Sequence, residues 1–182
     1  MWPYDLLTLE AWDALPKPTS HRFEVMEGLL VVVPAPPPAH QAAAARLASR
    51  LDVVLGPDAV VVRGVEVLVD PVFPTTVRVP DVAVTRRLPA QGDPARVDAV
   101  EVLLAVEISS PGANGTDRIV KPAEYADAGI PHYWHVDVDG PVTLTAFSLV
   151  AGRYKQIAQG TGKVEVPEPF PVTIDLTTLI NP

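Results

Sequence analysis

Glu107 sits in the run Val102-Leu103-Leu104-Ala105-Val106-Glu107-Ile108, which is otherwise apolar. Such a run reads as a central strand covered on both faces. An ionised carboxylate there is costly unless a cation, a metal ion or a lysine stands beside it, and without one it takes up a proton. Upstream, Asp81 occupies a similar setting in Arg78-Val79-Pro80-Asp81-Val82-Ala83-Val84, and downstream Lys121 supplies a positive charge. Two strand-borne acids followed by a lysine suggest a metal-dependent hydrolytic site.

Plainer readings stand beside this one. Asp81 alone is a turn residue after Pro80 at a strand edge. From spacing alone, a buried ion pair with Lys121 or Arg118 explains Glu107 as well as a metal does. Lys121 has an alternative partner in Asp117, four residues earlier on a helix surface, a contact worth only ~0.3 to 0.5 kcal/mol. His40 could act as a general base, yet at a helix start after prolines it reads equally as an exposed side chain. His132 and His135 have the wrong strand spacing to share a face, which argues against a two-histidine metal site. Asp137-Val138-Asp139-Gly140 has the start of a calcium loop without its remaining ligands and reads as a hairpin turn. Tyr133 and Trp134 read as core. There is no Gly-rich phosphate loop and no Gly-x-Ser-x-Gly elbow.

The elements that must position these residues follow from periodicity and punctuation. A short helix spans 8–15, with Thr8 as N-cap and Pro16 beyond its end. His21 to Val25 and Leu29 to Val33 form a β-hairpin turned at Glu27-Gly28. A helix from His40 to Leu55 ends at Gly56-Pro57. Strands are expected over Val60 to Val69 and Val77 to Thr85, with a polar loop over Arg86 to Ala99. After the Glu101 to Ser109 strand come a turn from Ser110 to Gly115 and a helix over Asp117 to Ala128. Pro122 interrupts that helix: either it kinks, or it begins near Pro122 with Lys121 at its edge. A strand over Tyr133 to Asp137, an antiparallel pair over Val142 to Leu149 and Tyr154 to Ala158, and a tail with a short strand and a turn of helix at Asp175 to Leu179 complete the chain. The order predicts an α/β domain with a mixed central sheet. The connection from the Glu107 strand through the helix to the Tyr133 strand is long enough for a parallel crossover.

The 182 residues suit one domain, 1–182, and 48% hydrophobic content allows a sizeable core. The 21 prolines punctuate loops and form no long linker. No apolar run reaches the length of a membrane span, and the first residues lack a signal-peptide pattern. With no cysteine, thiolate metal sites are excluded, and a cytoplasmic setting is expected. A net charge of −8 opposes a general affinity for nucleic acid but leaves room for a local basic cleft or a metal-bridged phosphate.

Several short pieces occur together in order: Phe23-Glu24, Glu27-Gly28, Pro80-Asp81, Val106-Glu107-Ile108-Ser109-Ser110-Pro111, Asp117 with Lys121 and Tyr125, and Gly129-Ile130-Pro131-His132-Tyr133-Trp134. The combination resembles the Uma-two family of restriction-endonuclease-like proteins, part of the PD-(D/E)XK nuclease superfamily, from about Thr8 to the end. The resemblance implies a restriction-endonuclease-like core, with helices flanking the mixed sheet, an added N-terminal hairpin and C-terminal antiparallel strands. It also implies a divalent metal and phosphodiester hydrolysis. Asp81 and Glu107 would be the acidic metal ligands. The superfamily lysine normally lies two residues after the second acid, where this chain has Ser109; Lys121 matches the family's lysine on the following helix. Glu24, His40 and Asp117 match family positions and would have supporting roles.

Two carboxylates and a backbone carbonyl, that of Ile108, suit Mg²⁺ or Mn²⁺, which keep several waters. A bound metal acidifies water and polarises the phosphate, while a lysine offsets phosphate charge. The expectation is a metal-dependent nuclease acting on nucleic acid, with DNA favoured, as a homodimer, since two sites are a common way to cut two strands. Ser109, Pro122 and the acidic charge favour an alternative: a catalytically degenerate module that binds a partner or mediates assembly through exposed strands.

Overall fold

The computed structural model of the chain describes residues 6–17, 21–86, 96–109 and 115–180. The first helix, α1 (Leu9–Ala14), starts where Thr8 accepts a hydrogen bond from the Ala11 N–H at 3.2 Å. β1 (Arg22–Met26) and β2 (Leu29–Val33) pair antiparallel around Glu27 and Gly28, whose φ of 48° and 76° suit the right-handed twist of a two-residue hairpin. Gly28 is required for a second reason. A Cβ there would lie 2.8 Å from the Leu6 Cβ.

α2 (Pro38–Val54) begins two residues before the sequence expectation, because Pro38 fits a first helical turn. The stretch 60–69 is two strands, β3 (Ala59–Val62) and β4 (Glu66–Asp70), separated at the positive-φ Gly64. The stretch 77–85 is likewise divided into β5 (Thr76–Arg78) and β6 (Val82–Arg86). Pro80 has no N–H to give to a ladder, so pairing stops there and the chain passes from one sheet to another. The expected polar loop over 86–99 contains β7 (Arg96–Asp98) and leads into a 3-10 turn at Ala99–Glu101. Most of the turn expected at 110–115 lies outside the described residues.

β8 (Val102–Ser109), α3 (Gly115–Asp127) and β9 (His132–Asp137) form the expected parallel crossover, with Glu107 beside His135. Gly129, at φ 78°, closes α3 with the Ile130 N–H donating to the Tyr125 carbonyl at 3.0 Å. The chain ends in β10 (Thr143–Val150), β11 (Arg153–Thr161), β12 (Lys163–Val166), β13 (Val172–Asp175) and α4 (Thr177–Ile180).

The strands form a mixed six-stranded sheet, β11-β10-β9-β8-β6-β3, a five-stranded sheet, β2-β1-β5-β4-β7, and the β12-β13 pair. The architecture is the expected α/β one, with mixed sheets flanked by helices. The N-terminal hairpin is more integrated than an added element, since β1 pairs with β5. Side-chain alternation in the six-stranded sheet makes two cores. One face carries Val82, Val84, Leu104, Val106, Trp134 and Leu144 against Leu47 and Leu51 of α2. The other carries Ala105 and Tyr133 against Tyr125 of α3 and Val67 of β4. A third cluster, Trp12, Val25 and Val77, seats α1 on the five-stranded sheet. Among the described residues, no helix is long and apolar enough to cross a membrane.

Candidate active site

The break at Val79-Pro80-Asp81 is where the site forms. β6 and β8 run antiparallel with Val82 opposite Val106, which sets Asp81 alongside Glu107 at the next position. Val82 and Val106 face the α2 core, so alternation turns Glu107 to the opposite face, under α3, while Asp81, just before β6, reaches His40 at the start of α2. The five-stranded sheet contributes from the other side. Val25 pairs with Val77, which puts Glu24 beside Arg78.

The break leaves backbone groups that need partners, and site side chains supply them. The Val79 N–H donates to Glu24 Oε1 at 3.2 Å, and Arg22 Nη1 donates to the Val79 carbonyl at 3.2 Å. Glu24 is buried. Its two oxygens accept from Arg78 Nη1 and from Lys121 Nζ, both at 3.0 Å. Arg78 in turn forms a two-bond contact with Glu124 of α3, each bond 2.7 Å. This network ties α3 to the five-stranded sheet through four charged groups, Glu24, Arg78, Lys121 and Glu124.

Asp81 is buried and well supplied with donors. Arg22 Nη1 lies 2.7 Å from Oδ1, the Ile108 N–H 2.8 Å from Oδ2, and His40 Nε2 3.0 Å from Oδ2. Burial alone would raise the Asp81 carboxyl. The His40 hydrogen bond, the Arg22 and His40 charges and the Ile108 N–H outweigh it and hold the group below the ordinary carboxylate range. His40 is therefore not the exposed residue that its position after prolines allows. It is buried at the start of α2 and turned to Asp81.

Glu107 is placed differently. Tyr125 donates to Oε1 at 2.7 Å and Lys121 lies 3.2 Å from Oε2. Burial, helped by the Asp81 and Glu24 charges, pushes its carboxyl up to about 7 against the pull of Lys121 and the Tyr125 hydrogen bond. Lys121 is itself buried and bridges Glu24 and Glu107. Burial opposes its charge, but Glu107 and Glu24 prevail and hold the ammonium above its ordinary pKa. α3 continues through Pro122, so Lys121 projects from a helix interior rather than from a helix start.

The sequence-predicted Asp81, Glu107, Lys121, Glu24 and His40 thus converge on one place. Ser109 is buried at the end of β8, and its carbonyl accepts from the Val138 N–H at 3.0 Å. The Asp117 side chain lies outside the described residues. Sequence reasoning gave no role to Arg22, Arg78, Glu124 or the Tyr125 hydroxyl. Two signals were available. Arg22 shares a strand face with Glu24, two residues on, and Tyr125 shares a helix face with Lys121, four residues earlier.

The donor set can be tested for a hard divalent cation. Among the described residues, no group of three or more His, Asp and Glu side chains is arranged to hold a metal. Only the Asp81 and Glu107 side chains would be ligands, with a backbone carbonyl as third. In a strand, a residue's N–H and C=O face the same edge. The Ile108 N–H reaches Asp81, so its carbonyl faces that edge too. Two carboxylates and one carbonyl are the oxygen donors suited to an ion such as Mg²⁺ that retains much of its water.

The model of the Uma2 family, described as putative restriction endonuclease, matches residues 8–178. A crystal structure of a putative nuclease belonging to DUF820 from Anabaena variabilis ATCC 29413 superposes with a TM-score of 0.76. The two are 20% identical over 96% of this chain and 97% of that one, a likeness that carries the fold. No curated protein matches the chain. The family match spans nearly the whole chain, which therefore belongs to the Uma2 family.

Proposed function

We propose that this Uma2-family member is a metal-dependent nuclease that hydrolyses phosphodiester bonds of nucleic acid at Asp81, Glu107 and Lys121. One observation carries the reading: the two acids stand side by side on neighbouring strands, and a buried lysine reaches one of them. Strands hold carboxylates at a fixed separation better than loops do.

Asp81, Glu107 and the Ile108 carbonyl would hold Mg²⁺ or Mn²⁺. A bound ion of this kind supplies an acidified water and polarises the phosphate. The chain's own groups do the rest. Lys121 presents its ammonium where a scissile phosphate would meet the carboxylates, and offsets charge that develops on it. Glu24 and Glu107 keep Lys121 charged, and Glu24 fixes its direction. Tyr125 orients Glu107. His40 and Arg22 hold Asp81 ionised and in place. The substrate assigned is DNA, cut by a homodimer in which each copy handles one strand.

A second reading has one observation in its favour. Arg22 already occupies Asp81 Oδ1 at 2.7 Å, as a structural ion pair would. On that reading the chain is a nuclease-fold binding or assembly module. Titration calorimetry with Mg²⁺ and Mn²⁺ separates the two. Binding to the wild type that Asp81→Asn and Glu107→Gln both abolish, with cleavage of a plasmid or oligonucleotide lost in parallel, supports the nuclease. Folded wild type that binds neither ion, with and without oligonucleotide, supports the module.

A further inference from the structure

Beside Glu107, on the same face of the six-stranded sheet, lies a cavity of about 330 Å³ lined by Pro122, Tyr133, His135, Thr145, Phe147 and Tyr154. Its position is set by register. Glu107 pairs with His135, and His135 with Thr145, so the cavity opens one to two strands from Glu107, about 5 to 10 Å along the sheet. Ala105, Tyr133 and Phe147 form the adjacent row. Pro122 directly follows Lys121 on α3, so the cavity and the candidate site share a helix, and β9, which lines the cavity, pairs with the strand that carries Glu107.

The lining is aromatic and rigid. The Tyr133 and Phe147 rings stack at 5.8 Å with an interplanar angle of 25°, and Tyr154 stands 5.6 Å from Tyr133. The Tyr154 hydroxyl donates to the Ile130 carbonyl at 2.8 Å, which fixes that ring. Phe147 and Tyr154 are only partly buried, so their rings are presented to the cavity rather than sealed in the core. The volume is at the small end of the ~300 to 1,000 Å³ of ligand sites, suited to one planar group.

We infer that this cavity takes an unpaired nucleobase of the substrate, stacked on Phe147 with the tilted Tyr154 ring against its edge, while the neighbouring phosphate meets Asp81, Glu107 and Lys121. The inference rests on the nuclease reading. Stacking on aromatic rings is how proteins grip unpaired bases without sequence preference, since every base has a π-face. It also answers the charge problem. A chain of net charge −8 has little to neutralise a phosphate backbone, so base contacts must contribute more of the binding. Pro122, which removes a helix hydrogen bond, gains a reason to be there as a flat apolar wall of the cavity.

The test uses the full chain with Mg²⁺ and fluorescence anisotropy. Two short single strands with cleavage-resistant phosphorothioate linkages are compared, an oligothymidine and its abasic counterpart of equal length and charge. The wild type is expected to bind the base-bearing strand about tenfold or more tightly than the abasic one, the scale of one stacked base. Phe147→Leu and Tyr154→Leu are expected to erase that difference and leave the abasic affinity unchanged. Equal binding of the two strands by the wild type overturns the inference without any variant. If the wild type still cleaves DNA and Asp81→Asn does not, the nuclease reading survives that failure. Absence of binding to either strand also overturns the inference, and the nuclease reading falls with it only if plasmid DNA is not cleaved either.

Discussion

Lys121 Nζ stands 3.0 Å from Glu24 Oε1, a buried contact between α3 and β1 across 97 positions of sequence. It makes Glu24 a positioning residue, since the same carboxylate also holds Arg78 and the backbone of the break before Asp81. Removing its charge leaves two buried cations undercompensated, a change that costs about 3 to 5 kcal/mol when one partner of a buried pair is lost. Glu24→Gln keeps the shape and some of the hydrogen bonds, so a loss of about 3 kcal/mol is expected. The midpoint of urea unfolding measures it. A shift worth less than about 1 kcal/mol, the scale of an exposed pair, would show that the network is solvated and that Lys121 is not held by Glu24.

Arg22 and a bound cation would compete for Asp81 Oδ1. Glutamine at position 22 removes the competing charge and keeps a donor for the Val79 carbonyl. Arg22→Gln is therefore expected to bind Mg²⁺ or Mn²⁺ about tenfold more tightly, roughly 1.4 kcal/mol. Calorimetric titration of both proteins decides it. Unchanged or weaker metal affinity would mean that Arg22 is part of the site's positive charge rather than its placeholder.

Glu107 makes both stability and metal binding depend on pH. Its folded pKa, about 7, lies above the ordinary 4.5, so the folded state binds the proton more tightly than the unfolded state does. The stabilisation is fully present below about 4.5 and is lost as pH rises to about 7. Metal binding runs the opposite way, because the ligand must be ionised. Without metal, the unfolding midpoint should fall between pH 5 and 7 in the wild type and fall less in Glu107→Gln. Mg²⁺ affinity should rise about tenfold per pH unit below 7 and level off above it. Affinity independent of pH over that range would remove Glu107 from the ligand set.

Most of this site is legible in the sequence, for a physical reason. A charge in an apolar strand demands a partner, and that argument finds Glu107 and applies equally to Arg78 between Val77 and Val79. Lys121 is visible as a cation and Glu107 as a partner for it, but Glu24 is not, because neither helix spacing nor the apolar strand around Glu107 points to it. Glu24 lies in another sheet, and only the tertiary pairing of β1 with β5 brings it there. His40 shows the same limit: a residue after four prolines in five positions looks solvated, yet the start of α2 is packed over Asp81. The undivided strands expected over 60–69 and 77–85 had correct residue types and hid two changes of sheet. Pro80 marked one of these, and its missing N–H was the signal.

Pro122 reads in the sequence as a kink in α3 or as its start, and the helix runs through it. A proline inside a helix removes one hydrogen bond and costs about 3 kcal/mol relative to alanine. Pro122→Ala is therefore expected to stabilise the protein, by about 1 to 3 kcal/mol after allowance for the unfolded chain's regained freedom and the lost ring contacts. For a chain of this length that is several degrees or more in thermal midpoint, roughly 2 to 4 °C per kcal/mol. Activity should move the other way. The ring walls the aromatic cavity and directly follows Lys121. A more stable Pro122→Ala protein that cleaves more slowly is the expected pair of results, read by calorimetric melting and by a single-turnover cleavage assay. A protein that melts lower would show that the ring's packing outweighs the missing bond, and that the helix is built around the proline rather than in spite of it.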